Sequence, residues 1–152
     1  MSIRPILICI LIGGQPVLAD PIIKTEKTDV FGNQKSVVSD KNGRKCGEIT
    51  TSKPDIFGNK KSVFRDRSGR VTGTAEVSKP DIFGKVKTVY KDKYGRIVGT
   101  SETDKADVFG NRTTVFKDKY GRTTGKATTE KPDIFGEQKT KVQGKTPLSC
   151  KK

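Results

Sequence analysis

Asp55-Ile56-Phe57-Gly58-Asn59-Lys60-Lys61-Ser62-Val63-Phe64-Arg65-Asp66-Arg67-Ser68-Gly69-Arg70 opens a unit that recurs every 26 residues. Its first four residues return as Asp29-Val30-Phe31-Gly32, Asp81-Ile82-Phe83-Gly84, Asp107-Val108-Phe109-Gly110 and Asp133-Ile134-Phe135-Gly136. Its last five return as Asp40-Lys41-Asn42-Gly43-Arg44, Asp92-Lys93-Tyr94-Gly95-Arg96 and Asp118-Lys119-Tyr120-Gly121-Arg122. Gly47, Gly73, Gly99 and Gly125 keep the same register, so thirteen of the 16 glycines occupy three phases of one repeat. Such a period marks a tandem array, here four full repeats (29–54, 55–80, 81–106, 107–132) and a partial fifth, 133–142. Residues 20–28 are a lead-in and 143–152 a tail.

Each repeat holds two Asp-x-x-Gly turns. Asp at the first turn position accepts bonds from the backbone ahead of it, and Gly at the fourth takes the left-handed conformation. The structural turns are Asp40 with Gly43, Asp66 with Gly69, Asp92 with Gly95, and Asp118 with Gly121. Between Gly58 and Asp66 lie seven residues, and between Gly69 and Asp81 eleven. These are strand lengths, and mid-arm glycine also argues against helix.

Alternation puts Ser62, Phe64 and Asp66 on one face of the first arm, and Lys61, Val63 and Arg65 on the other. In the second arm Val71, Gly73, Ala75 and Val77 form the more apolar face. Two readings of Gly73 and its equivalents stay open. An aromatic of the first arm lies across the glycine, or the glycine marks a bulge. Phe31, Phe57, Phe83, Phe109 and Phe135 are expected as core anchors, each contributing roughly 1.5–3 kcal/mol on burial. Pro54, Pro80 and Pro132 precede three of these turns and are expected to end the second arm.

The expected fold is all-β: an antiparallel meander of about nine short strands. The array is either open and curled or closed on itself, because a lone twisted sheet leaves a face uncovered. Two cysteines outside the N-terminal segment, Cys46 and Cys150, permit one disulfide bond. They stand 104 residues apart, four periods. At about 9.5 Å per hairpin an open stack separates them far beyond the roughly 7 Å a disulfide tolerates. Pairing within one chain therefore requires closure or folding back; pairing between chains and free thiols are the alternatives. An outer-membrane barrel is disfavoured, because the arms are short and lysines and arginines interrupt both faces.

Residues 1–19 stand apart. Arg4 precedes the apolar run Ile6-Leu7-Ile8-Cys9-Ile10-Leu11-Ile12, and Val17-Leu18-Ala19 precedes Asp20. This is the pattern of a signal peptide cleaved near Ala19, with a buried strand as the alternative. The run is too short for a permanent span, so no stable transmembrane segment is expected after cleavage. The implied location is periplasmic or secreted.

Val89-Tyr90-Lys91-Asp92-Lys93-Tyr94-Gly95-Arg96-Ile97-Val98-Gly99-Thr100 resembles the tandem tyrosine–aspartate repeats of bacterial Rhs-type secreted shells. Those are short antiparallel strands around an Asp-x-x-Gly-Arg turn. The match covers about half of each unit, and Lys91 separates Tyr90 from Asp92, so the tyrosine–aspartate pair itself is absent. The resemblance implies a β-hairpin array from an exported bacterial protein. It implies no activity, since those shells are scaffolds.

Chemistry is sparse. The chain of 152 residues has no histidine, 31% hydrophobic residues and a formal charge of +14. The commonest general base and transition-metal ligand is thereby missing. No nucleotide-binding or zinc motif appears, and the turns lack calcium-loop spacing. No cofactor, metal site or catalytic residue is expected; a carboxylate pair across neighbouring repeats is the only route to an enzyme.

Cations recur in register: Arg44, Arg70, Arg96 and Arg122 after the turn glycine, and Lys41, Arg67, Lys93 and Lys119 within the turn. Lys53, Lys79, Lys105 and Lys131 end the second arm. Stacked rows of this kind suit an anionic cell-surface polymer or nucleic acid, unless the arginines simply pair with neighbouring aspartates. The leading expectation is a non-catalytic structural or protein-interaction module, meeting a partner or itself through strand edges. The alternatives are a polyanion-binding module and an enzyme with an unrecognised acidic site.

Overall fold

In a computed structural model of the chain the described residues are 21–147. The expected signal peptide and Cys150 lie outside them. Ten strands form: β1 Ile22–Thr25, β2 Gln34–Ser39, β3 Lys45–Thr51, β4 Lys60–Asp66, β5 Val71–Val77, β6 Val86–Asp92, β7 Ile97–Thr103, β8 Arg112–Asp118, β9 Thr123–Thr129 and β10 Gln138–Gly144. Each pairs antiparallel with its chain neighbours, and β1 pairs with β10, closing a barrel. The tenth strand comes from the lead-in. Ile22-Ile23-Lys24-Thr25 is in phase with Glu48-Ile49-Thr50-Thr51 and supplies the arm that the first turn otherwise lacks.

Closure corrects two expectations. Every described strand has a partner on both sides, so no open edge is left for strand addition. The expected Cys46–Cys150 bond is the second. No disulfide bond links two described residues, Cys46 being the single cysteine among them and not a free thiol. Closure rests on the backbone ladder between Ile22–Thr25 and Gln138–Lys141.

The barrel interior is layered. Its middle is a ring from the even strands, Val38, Phe64, Tyr90, Phe116 and Val142, interleaved with Ile23, Ile49, Ala75, Ser101 and Ala127 from the odd ones. Phe64, Tyr90 and Phe116 meet in succession, with ring centroids 6.1 Å apart and tilted planes. Tyr90 is fully enclosed, which pushes its phenol up to about 12, while its hydroxyl keeps a 3.1 Å bond with Ser101 Oγ. Beyond this ring lies a belt of hydroxyls bonded across strand pairs: Thr25–Ser36, Thr51–Ser62, Thr103–Thr114 and Thr129–Thr140, at 2.8–2.9 Å.

Both readings of the mid-arm glycine hold at once. Phe64 faces Gly73, Tyr90 faces Gly99 and Phe116 faces Gly125. Immediately beyond each pair the register slips by one residue. A Cβ on Gly99 would lie 2.6 Å from the Lys117 carbonyl oxygen, so the strands approach too closely there for any side chain.

The expected core anchors need correction. Phe31, Phe57, Phe83, Phe109 and Phe135 are 69–75% exposed. They occupy the third position of their turns, where the Asp and Gly carry the internal bonds and the two central side chains project outward. The outer wall is polar, with cross-strand ion pairs Lys91–Glu76 at 2.6 Å, Lys117–Glu102 at 3.0 Å and Lys141–Glu130 at 3.1 Å. Among the described residues no helix is long and apolar enough to cross a membrane.

Candidate functional site

Antiparallel order sorts the connections by end. The five loops from odd to even strands share one rim: 26–33, 52–59, 78–85, 104–111 and 130–137. The four from even to odd strands share the other. Both chain ends of the described region also leave from that second rim. Lys145 N–H donates to the Thr124 carbonyl there, and Thr146 and Pro147 are buried.

Both rims use the same turn. At Asp81 the carboxylate Oδ1 accepts from Phe83 N–H and Lys85 N–H at 2.9 and 2.8 Å, and Gly84 N–H donates to the Asp81 carbonyl. At Asp92 the Oδ1 accepts from Tyr94 N–H and Arg96 N–H at 2.9 and 3.0 Å, and Gly95 N–H donates to the Asp92 carbonyl. Gly84 and Gly95 take φ of 79° and 81°, the left-handed region that closes such a hairpin. The two rims differ in what the central positions carry.

On the first rim they carry Val30, Ile56, Ile82, Val108 and Ile134, which are 92–95% exposed, each followed by its phenylalanine. Ten large apolar side chains thus form a crown. The fingers that bear them are locked side by side. Lys53, Lys79 and Lys131 each donate a backbone N–H to the side-chain oxygen of Asn33, Asn59 or Asn111 on the preceding finger, at 3.2–3.4 Å. Lys85 bonds Asp104 at 3.2 Å across the third seam, and Lys24 reaches Glu137 at 4.0 Å across the closing one. The backbone and Cβ of the lysines expected as a cationic row thus sit at the seams between fingers. Lys105 Cβ, for example, sits where a Cβ on Gly84 would come within 2.9 Å.

On the second rim the central positions carry Lys41, Arg67, Lys93 and Lys119, all exposed. The arginines behind them pair with their own turn aspartates: Arg44–Asp40 at 3.4 Å, Arg70–Asp66 at 3.1 Å, Arg96–Asp92 at 2.7 Å and Arg122–Asp118 at 2.8 Å. At Asp66, Asp92 and Asp118 burial works to raise the carboxyl pKa. The bonds from the arginine backbone and side chain outweigh it and hold each below 3.8. At Asp40 the Arg44 N–H bond leads and the result has the same sign. Lys93 and Arg96 flank the Tyr94 ring at 4.9 and 5.3 Å, and Lys119 and Arg122 repeat this at Tyr120.

Among the described residues no group of three or more metal-ligating side chains converges. Sequence reasoning placed the turns and the basic residues but not the crown. The available signal was that the phenylalanines sit inside Asp-x-x-Gly, between the two residues that make the turn. No family model matches the chain, and neither the curated proteins nor the solved structures give a match.

Proposed function

We propose that this protein is an exported, non-catalytic interaction module that meets its partner through the apolar crown. One observation carries the reading: ten valine, isoleucine and phenylalanine side chains are gathered at one rim and left in water. Large apolar side chains gathered in this number at one end and left exposed mark a contact site. The crown adds nothing to the barrel core, and the seams between its fingers are bonded, so the surface is presented rigidly. Rigid presentation lowers the ordering cost of association.

The test is a photo-crosslinking side chain placed at Phe83 on the crown or at Tyr94 on the opposite rim, in the full chain in its producing cell. Adducts from position 83 and none from 94 support the reading. Adducts from 94 alone overturn it.

A second reading has its own support in the tyrosine–cation clusters of the basic rim, whose four turn motifs set eight cations against four carboxylates. That surface suits an anionic polymer. Retention on a polyphosphate resin that falls steeply between about 50 and 200 mM salt supports this alternative. Retention that is absent, or insensitive to salt, counts against it.

A further inference from the structure

We infer that the partner seated on the crown is a second copy of this chain, joined crown to crown; this rests on the crown being the contact surface. Three features point the same way. The first is area. Five phenylalanines and five β-branched residues exposed to the degree given above present on the order of 1,200 Å² of apolar surface. A stable interface needs about 800 Å² from each partner.

The second is shape. Two strands separate one finger from the next, which sets the fingers about 10 Å apart. The seams are bonded, so two crowns meet tip to tip, with the outward valine, isoleucine and phenylalanine side chains of one filling the gaps between those of the other. A two-fold axis across the barrel ends makes every such contact reciprocal, as an isologous interface demands.

The third is charge. The crown loops carry nine carboxylates and six lysines, with a Lys two residues before the Asp in every finger: Lys27/Asp29, Lys53/Asp55, Lys79/Asp81, Lys105/Asp107 and Lys131/Asp133. A mixed surface complements its own copy. Its acidic excess opposes an anionic lipid leaflet, and although two crowns share that sign, the Lys and Asp of every finger let opposite charges meet across the two-fold axis. Crown-to-crown pairing also sends the two basic rims to opposite ends, keeping their like charges far apart.

The experiment is sedimentation velocity of the full chain at about 1–100 µM, alongside a triple variant F57S/F83S/F109S and a control K93S/Y94S/K119S on the other rim. Wild type and control are expected as dimers. The triple variant is expected to dissociate at least about 100-fold more readily, as loss of central aromatic anchors does, with an unchanged far-ultraviolet circular dichroism spectrum. Crosslinks from position 83 must map to the crown loops of the other copy. Crosslinks from crown to basic rim indicate head-to-tail growth and overturn the proposal. A monomeric wild type that pellets with phosphatidylcholine vesicles, or crosslinks at position 83 to a different protein, overturns the second copy and leaves the crown as an interaction surface. A monomer whose crown contacts nothing overturns both.

Discussion

The two rims of the barrel are built from one turn and do opposite things. Asp81-Ile82-Phe83-Gly84 and Asp92-Lys93-Tyr94-Gly95 share their backbone bonds and their glycine conformation. Only the central pair differs, apolar on one rim and cationic with tyrosine on the other. The turn thus separates two tasks within four residues. Asp and Gly hold the chain, and the two between them are available for chemistry. What the rim displays is then nearly independent of what the fold requires.

The sharpest way to break that separation is to truncate two phenylalanines of one repeat. Phe116 is 1% exposed within the ring and Phe109 is 74% exposed on the crown. Phe116→Ala is expected to cost about 3–5 kcal/mol in urea unfolding. Measured at a concentration where the chain is monomeric, Phe109→Ala is expected to stay within about 0.5 kcal/mol. A large loss at Phe109 would mean that the crown is part of the core after all.

The next effect distinguishes the rims at their glycines. Gly95→Ala forces a left-handed alanine into open space and should cost about 1–2 kcal/mol. Gly84→Ala carries the same strain and also drives its Cβ to 2.9 Å from Lys105 Cβ. Thermal unfolding should place it clearly below Gly95→Ala. Equal losses would mean that the seams between crown fingers yield freely.

The smallest effect depends on pH. The Asp92 carboxyl is held below 3.8 in the folded state, so it binds its proton less readily than in the unfolded chain. Its contribution is complete above the unfolded pKa and disappears as pH falls through the folded one. Asp92→Ala should therefore lower the denaturation midpoint at pH 7, and the gap to wild type should close below about pH 3.8. A gap that persists at pH 2 would assign the loss to something other than the ionised carboxylate.

Much of this architecture was legible because glycine and aspartate have narrow conformational uses. Their 26-residue period fixes the turns and the arm lengths, while the placing of Phe64 on Gly73 stayed one of two open readings until the ladder showed it. Two features were harder to read. The strand β1 follows no Asp-x-x-Gly motif in the sequence and has only four residues. Its phase betrays it, since Ile23 stands where Ile49, Ala75, Ser101 and Ala127 stand, all facing the interior. The phenylalanines misled because hydrophobic burial is a one-way rule: cores are apolar, yet apolar residues are not all in cores. The sequence left open and closed arrays as alternatives, and the ladder between β1 and β10 decides for closure.

The pairing of β1 with β10 brings the two ends of the described region together beside the same rim, in the one place around the barrel where a basic turn is missing. A fifth Asp-Lys-Tyr-Gly-Arg turn joining Gly144 to Ile22 would leave a ring of five equivalent hairpins. Its start would then be a matter of convention, and circular permutants opened at any of the other basic turns should fold to the same barrel.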